Sequence, residues 1–246
     1  MIERALRPLL CVCFVLTAAS AASDPFVGDW KLNASKSALT DRMKVTSAGG
    51  DKYTFDFGGG PETIAVDGTD QPSPLPSGGT LSVTRESDSW KVVRKTNGRT
   101  IISAVWRLSS DGLTLTDHFT GFNADGSPYI LNYAYKRTAP GSGFAGTWVS
   151  TSLQAVNYVI AIQLRSYEEH GLAIIDSASQ FTGNMNFAAS AVRRLDEHTL
   201  ELMRTKKDGE LTEFLRLELS PDLRTLTMTP PSVAGTEPRR FVFDRQ

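Results

Sequence analysis

Phe26-Val27-Gly28-Asp29-Trp30 returns as Phe144-Ala145-Gly146-Thr147-Trp148, and Tyr133-Ala134-Tyr135-Lys136-Arg137 returns as Phe241-Val242-Phe243-Asp244-Arg245. The spacing of roughly a hundred residues is too long for a solenoid and is the size of a domain. Each copy is therefore read as a unit with its own core. Thr138-Ala139-Pro140-Gly141-Ser142-Gly143 separates the copies and has the composition of a short joint. The expected division is a signal peptide over 1–23, a first unit over 24–139, a linker over 140–143 and a second unit over 144–246.

The N-terminus carries a targeting pattern. Arg4 and Arg7 form a basic start, Leu9 to Leu16 an apolar run, and Ala18 to Ser23 a stretch of small residues suited to cleavage. Export follows as an expectation, with a periplasmic or extracellular destination. Both cysteines, Cys11 and Cys13, lie in that segment, so the remainder has neither disulfides nor thiolate chemistry and relies on its cores. The whole chain has 26 Lys and Arg against 27 Asp and Glu, and the signal segment removes only Arg4, Arg7 and Glu3. A balance this even argues against nucleic acid or an anionic membrane as partner. No membrane insertion is expected after signal cleavage, because no other stretch is long and apolar enough.

Period-two alternation runs through both copies. Lys52-Tyr53-Thr54-Phe55-Asp56-Phe57 sets three aromatics on one face of a strand. Ser89 to Lys95 and Arg99 to Leu108 flank Asn97-Gly98, a pair whose tolerance of positive φ suits a two-residue hairpin. Leu113 to Phe119 and Tyr129 to Lys136 complete the first copy. In the second, Tyr158 to Leu164, Gly171 to Asp176, Met185 to Val192, Leu200 to Thr205 and Thr225 to Thr227 read as strands. Eight or nine strands per copy with short turns and no helical period make a meander, and closure into a barrel removes its exposed edges. The predicted fold is all-β: two tandem antiparallel up-and-down barrels.

Gly28-Asp29-Trp30 and Gly146-Thr147-Trp148, each followed far downstream by Arg137 or Arg245 at the end of a last strand, resemble the lipocalin (calycin) signature. With Lys31-Leu32-Asn33-Ala34-Ser35-Lys36-Ser37, Asp111 to Thr116 and Asn123 to Pro128, the first copy resembles uncharacterised secreted bacterial lipocalin-like proteins. The resemblance implies structural roles for Trp30, Arg137, Trp148 and Arg245, with Arg137 stacked on Trp30 and Arg245 on Trp148. It also implies a small apolar molecule held in a barrel.

The chemistry-bearing residues are few. Of three histidines, His170 and His198 fall in predicted turns, and no pair has a local zinc spacing. His118 lies in a strand whose alternation puts Thr116, His118 and Thr120 on one face and Leu115, Asp117 and Phe119 on the other, so one face accepts a polar group. Gly58-Gly59-Gly60 precedes Pro61 and no helix, so it reads as a turn and not a phosphate loop. No catalytic residue, metal or cofactor is assigned. The candidate ligand-binding residues are the aromatics Tyr53, Phe55, Phe57, Trp106, Tyr133 and Tyr135. The functional reading is an exported, non-enzymatic binding protein for a small apolar or amphipathic molecule. Its alternatives are a protein-interaction or envelope-structural module with side-chain-filled barrels, and an enzyme working at a barrel mouth.

Overall fold

The computed structural model describes residues 24–58, 60–75, 78–123, 126–167, 170–175, 190–205, 211–230 and 239–246, and the expected signal peptide lies outside them. The fold is all-β, with two antiparallel sheets and no helix among the described residues. Ten strands form one sheet: β2 (Arg42–Gly49), β3 (Lys52–Asp56), β4 (Pro61–Ala65), β5 (Gln71–Pro72), β6 (Thr80–Arg85), β7 (Ser89–Thr96), β8 (Arg99–Leu108), β9 (Thr114–Phe122), β10 (Pro128–Ala139) and β11 (Gly146–Val156), in the order β4-β3-β2-β11-β10-β9-β8-β7-β6-β5. Eight form the other: β1 (Gly28–Leu32), β12 (Val159–Tyr167), β13 (His170–Ile175), β14 (Ser190–Asp196), β15 (Thr199–Thr205), β16 (Leu211–Leu219), β17 (Thr225–Thr229) and β18 (Phe241–Arg245), in the order β13-β12-β1-β18-β17-β16-β15-β14.

Both sheets curl into barrel-like forms. In the eight-stranded sheet the terminal strands β13 and β14 come to lie beside each other. In the ten-stranded sheet a side chain joins the two ends: the Ala65 N–H donates to Gln71 Oε1 at 2.8 Å, and Gln71 Nε2 donates to the Ala65 carbonyl at 2.9 Å. The Gln71 amide thus does for β4 what a neighbouring backbone would do, which leaves one fewer pair of edge groups unsatisfied. At the β7–β8 turn, Asn97 (φ 51°) and Gly98 (φ 74°) both adopt the positive angles expected of that pair.

The expected division at 140–143 does not hold. β1 pairs with β12 and β18 of the eight-stranded sheet, with Trp30 opposite Ile160 and Arg245. The start of β11 occupies the corresponding place in the ten-stranded sheet, with Trp148 opposite Met43 and Arg137. Each barrel therefore takes its first strand from the other half of the chain. The expected joint is the turn of the β10–β11 hairpin, where the Ala145 N–H donates to the Ser142 carbonyl at 3.1 Å. A hairpin closes a far shorter loop than a return to the N-terminus, so Trp148 is the tryptophan nearest to hand for Arg137.

The expected stacking partners are exchanged accordingly. The Arg137 guanidinium lies 4.3 Å from the Trp148 ring centre, and that of Arg245 lies 4.1 Å from Trp30. The same clasp is built at both places. Each indole Nε1 donates to the carbonyl four residues earlier, Phe26 or Phe144, at 3.0 Å. Arg137 donates to the carbonyls of Gly112, Ala145 and Gly143, and Arg245 to those of Leu223, Val27 and Pro25. Glycine opens the space: a Cβ on Gly146 would lie 2.5 Å from Arg137 Nη1, and one on Gly28 would lie 3.2 Å from Arg245 Nη1.

Two apolar cores result. Met43, Val45, Phe55, Trp90, Trp106 and Trp148 belong to the ten-stranded core, and Phe26, Trp30, Ile160, Ile162, Leu217 and Phe243 to the other. β10 serves both. Its inward residues Tyr129 and Leu131 join the eight-stranded core and Tyr135 the ten-stranded core, while Phe119 and Tyr133 pack against each.

Candidate functional site at the sheet junction

Residues from three parts of the chain surround a cavity of about 210 Å³ where the cores meet. Leu131, Tyr133 and Leu153 come from β10 and β11 of the ten-stranded sheet, and Leu215 and Phe241 from the eight-stranded one. Tyr158, just before β12, and Pro230 complete those walls. The third contribution is the end of β1 and the crossing segment that follows it, which supply Leu32 and Leu39. Among the described residues, Arg239 is the one charged residue on the lining.

The crossing segment is held in place by backbone and side-chain bonds. Ala38 and Arg240 exchange N–H to carbonyl bonds in both directions, each 2.8 Å. Asn33 Nδ2 and Lys36 Nζ donate to the two carboxylate oxygens of Asp244, at 2.6 and 2.9 Å. At its far end the Asp41 N–H donates to Ser150 Oγ at 2.7 Å, and the Ser150 N–H donates to the Asp41 carbonyl at 2.9 Å. The segment that makes the strand exchange also roofs the cavity.

Behind the cavity sits a small group of buried acids and tyrosines. Tyr135 donates its hydroxyl to Asp41 Oδ2 at 2.7 Å, while burial raises the Asp41 carboxyl above its ordinary range and this hydrogen bond partly offsets the rise. Asp117, 7% exposed, stands opposite both Trp106 and Tyr133 in neighbouring strands. Burial pushes its carboxyl up to about 7, opposed by the nearby Trp106 indole and reinforced by the charge of Asp41. Asp117 Oδ1 and Trp106 Nε1 have no hydrogen bond of ordinary geometry among the described residues. The indole thus tempers the acid at longer range without satisfying it. Burial also raises the Tyr133, Tyr135 and Tyr158 hydroxyls, keeping them protonated and able to donate.

The six candidate aromatics divide between cavity and core. Tyr133 lines the cavity. Tyr135 is buried next to it and holds Asp41. Tyr53, Phe55, Phe57 and Trp106 form a separate aromatic cluster in the ten-stranded barrel, with Tyr53 edge-on to Trp90 at 4.9 Å and Phe57 edge-on to Trp106 at 5.8 Å. Phe57 is partly exposed at the margin of that cluster. His118 points outward, its Nδ1 2.7 Å from Asn132 Oδ1, and His198 sits at a turn. His170 opens β13, and its side chain lies outside the described residues.

Two further polar arrangements went unnoticed in the sequence. Glu62 is fully buried inside the ten-stranded barrel, bonded to Arg94 and, at 2.6 Å, to Ser73 Oγ. Its position on the face of Ile64, and that of Arg94 on the face of Trp90 and Val92, are the alternation signals that could have revealed both. Glu201 bonds to Arg193 and Arg216 directly across neighbouring strands. Arg239 carried no such signal, since it precedes β18 in a stretch without periodicity.

No group of three or more His, Cys, Asp or Glu among the described residues could hold a metal ion. No family model, curated protein or solved structure matches the chain. The all-β architecture with barrel-like sheets is compatible with a lipocalin-like fold.

Proposed function

We propose that this is an exported, lipocalin-like tandem-repeat protein that binds a small apolar or amphipathic molecule without chemical conversion. The cavity at the sheet junction carries the reading. Its volume of about 210 Å³ is several times the roughly 30 Å³ share of one water, and its walls are mostly Leu and Phe with tyrosines and one arginine. Binding pockets combine an apolar lining with a few convergent polar groups in this way. Both barrel interiors are occupied by buried side chains, which favours the junction over a lumen as the binding place. The twice-built Trp–Arg clasp supports the tandem lipocalin-like ancestry, and residues 1–23 support export.

An enzymatic reading would rest on Asp117, whose carboxyl titrates near neutrality. It lies off the cavity wall, so the binding reading is the stronger. The test is mass spectrometry of the organic extract from natively purified protein, paired with displacement of a hydrophobic fluorescent probe. A retained small molecule that displaces the probe supports the reading. An empty extract together with no probe uptake would sink it.

A further inference from the structure

We propose that the junction cavity selects a small organic anion, an apolar body of about one ring seated among Leu32, Leu131 and Phe241 with its carboxylate on Arg239. The assignment rests on the reading of the cavity as a binding site and adds the size and charge of what it takes.

Size comes from the volume. A cavity of about 150 Å³ encloses benzene, so about 210 Å³ takes a ring with a short substituent. At the same roughly 25 Å³ per carbon, the chain of dodecanoate would leave several of its carbons outside. The apolar part of this open-mouthed cavity gains roughly 25 cal/mol for each Å² of apolar surface removed from water, which rewards a body that fills it.

Charge comes from Arg239. Among the described residues it is the sole charged side chain on the wall, and it makes neither a hydrogen bond nor an ion pair with any of them. Asp41 feels its field only weakly, as the smallest influence on that carboxyl, and the Asp41 carboxylate is already engaged by Tyr135. A guanidinium beside an apolar cavity offers a planar fork of donors that matches a carboxylate in two parallel bonds. Its backbone is anchored next door, where Arg240 is paired in both directions with Ala38. Its backbone is thus held at the wall, while the exposed side chain turns to meet a ligand. Among the described residues an amine finds no such partner, because Asp41 and Asp117 are both off the lining.

Calorimetric titration of the full chain with phenylacetate, phenylacetamide, phenethylamine and dodecanoate tests each part. Phenylacetate should bind at least tenfold more tightly than the amide and the amine. Arg239→Gln should weaken phenylacetate by about 10- to 100-fold, the worth of a charge-assisted pair, and leave the amide unchanged. Leu153→Trp, which fills the cavity from a half-buried position, should abolish binding of both acid and amide. Leu131→Trp serves as a second filling variant, with circular dichroism confirming that the variants fold. Equal binding of acid and amide, indifferent to Arg239→Gln, overturns the anion and leaves the cavity reading standing. Preference for the amine or for dodecanoate overturns the charge or the size. No binding by any probe, or binding unaffected in folded filled variants, overturns both readings.

Discussion

The two Trp–Arg clasps have nearly the same contacts and very different connections. Arg137 reaches the Ala145 carbonyl across 8 residues of chain, whereas Arg245 reaches that of Pro25 across 220. One clasp is the local business of a hairpin, and the other ties the C-terminus to the N-terminal segment. Loop-closure entropy depends on the logarithm of loop length. One short and one very long closure therefore cost less than two of intermediate length, by roughly 1 kcal/mol. Both Trp segments make matching bonds to their own arginine, and connectivity favours the nearer one for Arg137. The exchange also carries the crossing segment over the junction, where Leu32 and Leu39 wall the cavity.

The sharpest way to break this comparison is to cut the chain. Residues 42–156 contain all ten strands of one sheet and its complete clasp, whereas residues 24–140 lack Trp148 and contain a β1 with no sheet to join. The 42–156 fragment should be soluble and β-rich with a cooperative thermal transition. The 24–140 fragment should show none, or a midpoint lower by tens of degrees. If 24–140 melts cooperatively at the temperature of 42–156, Trp30 can replace Trp148 at no cost and the exchange is not required for folding.

The next difference is chemical. Asp117 and Met228 hold the same place, two residues beyond the matched Leu115 and Leu226, and both are buried. One barrel buries an acid where its counterpart buries a thioether. The unfolded chain releases the Asp117 proton near pH 3.8 and the folded protein retains it to about 7. Between those values the native state binds more protons, so stability falls as pH rises. A shift of this size corresponds to a loss on the order of 4 kcal/mol by pH 8. Denaturant titrations at pH 4.5 and pH 8 should show wild type much weaker at pH 8. Asp117→Asn should remove most of that slope and keep only the part that Asp41, also raised, contributes in the same direction. Wild-type stability that is flat over this range would refute the burial of an unsatisfied acid.

Asp117 also shows how much the sequence disclosed. Its position between Leu115 and Phe119 on one face, with His118 on the other, required one face to take a polar group, and the barrel took the acid inward. Strand positions, the Asn97-Gly98 turn and the all-β class were legible for the same reason: each depends on neighbours in sequence. The exchange of first strands was not legible, because Phe26 to Trp30 and Phe144 to Trp148 carry the same pattern and make matching bonds, each in its own barrel. Of the candidate aromatics, Tyr133 lines the cavity and four of the other five fill the ten-stranded core. An aromatic stripe alone does not reveal whether anything is left empty beside it. Arg239 could be found only in three dimensions, since its meaning depends on Leu39 and Tyr133, both distant in the chain.

The smallest difference lies in the turns that feed the clasps. Ser109 to Thr114 and Ser220 to Thr225 match bond for bond: in each, the serine hydroxyl lies within bonding distance of the aspartate and accepts from the threonine N–H. Gly112 (φ 69°) and Leu223 (φ 57°) then offer equivalent carbonyls to Arg137 and Arg245, both at 2.8 Å. A leucine in that left-handed conformation costs about 1–2 kcal/mol, and no Cβ is needed, since Leu223 is partly exposed. Leu223→Gly should stabilise the protein by up to about 1 kcal/mol, the relief of strain less the greater freedom that glycine gives the unfolded chain. Gly112→Leu should destabilise by a similar amount, because a Cβ there meets nothing closer than Arg137 Nη2 at 3.9 Å and only the torsion resists. Paired thermal melts decide the matter. If the two substitutions shift the midpoint in the same direction, the turns are not equivalent and the likeness of the two clasps ends at the tryptophans.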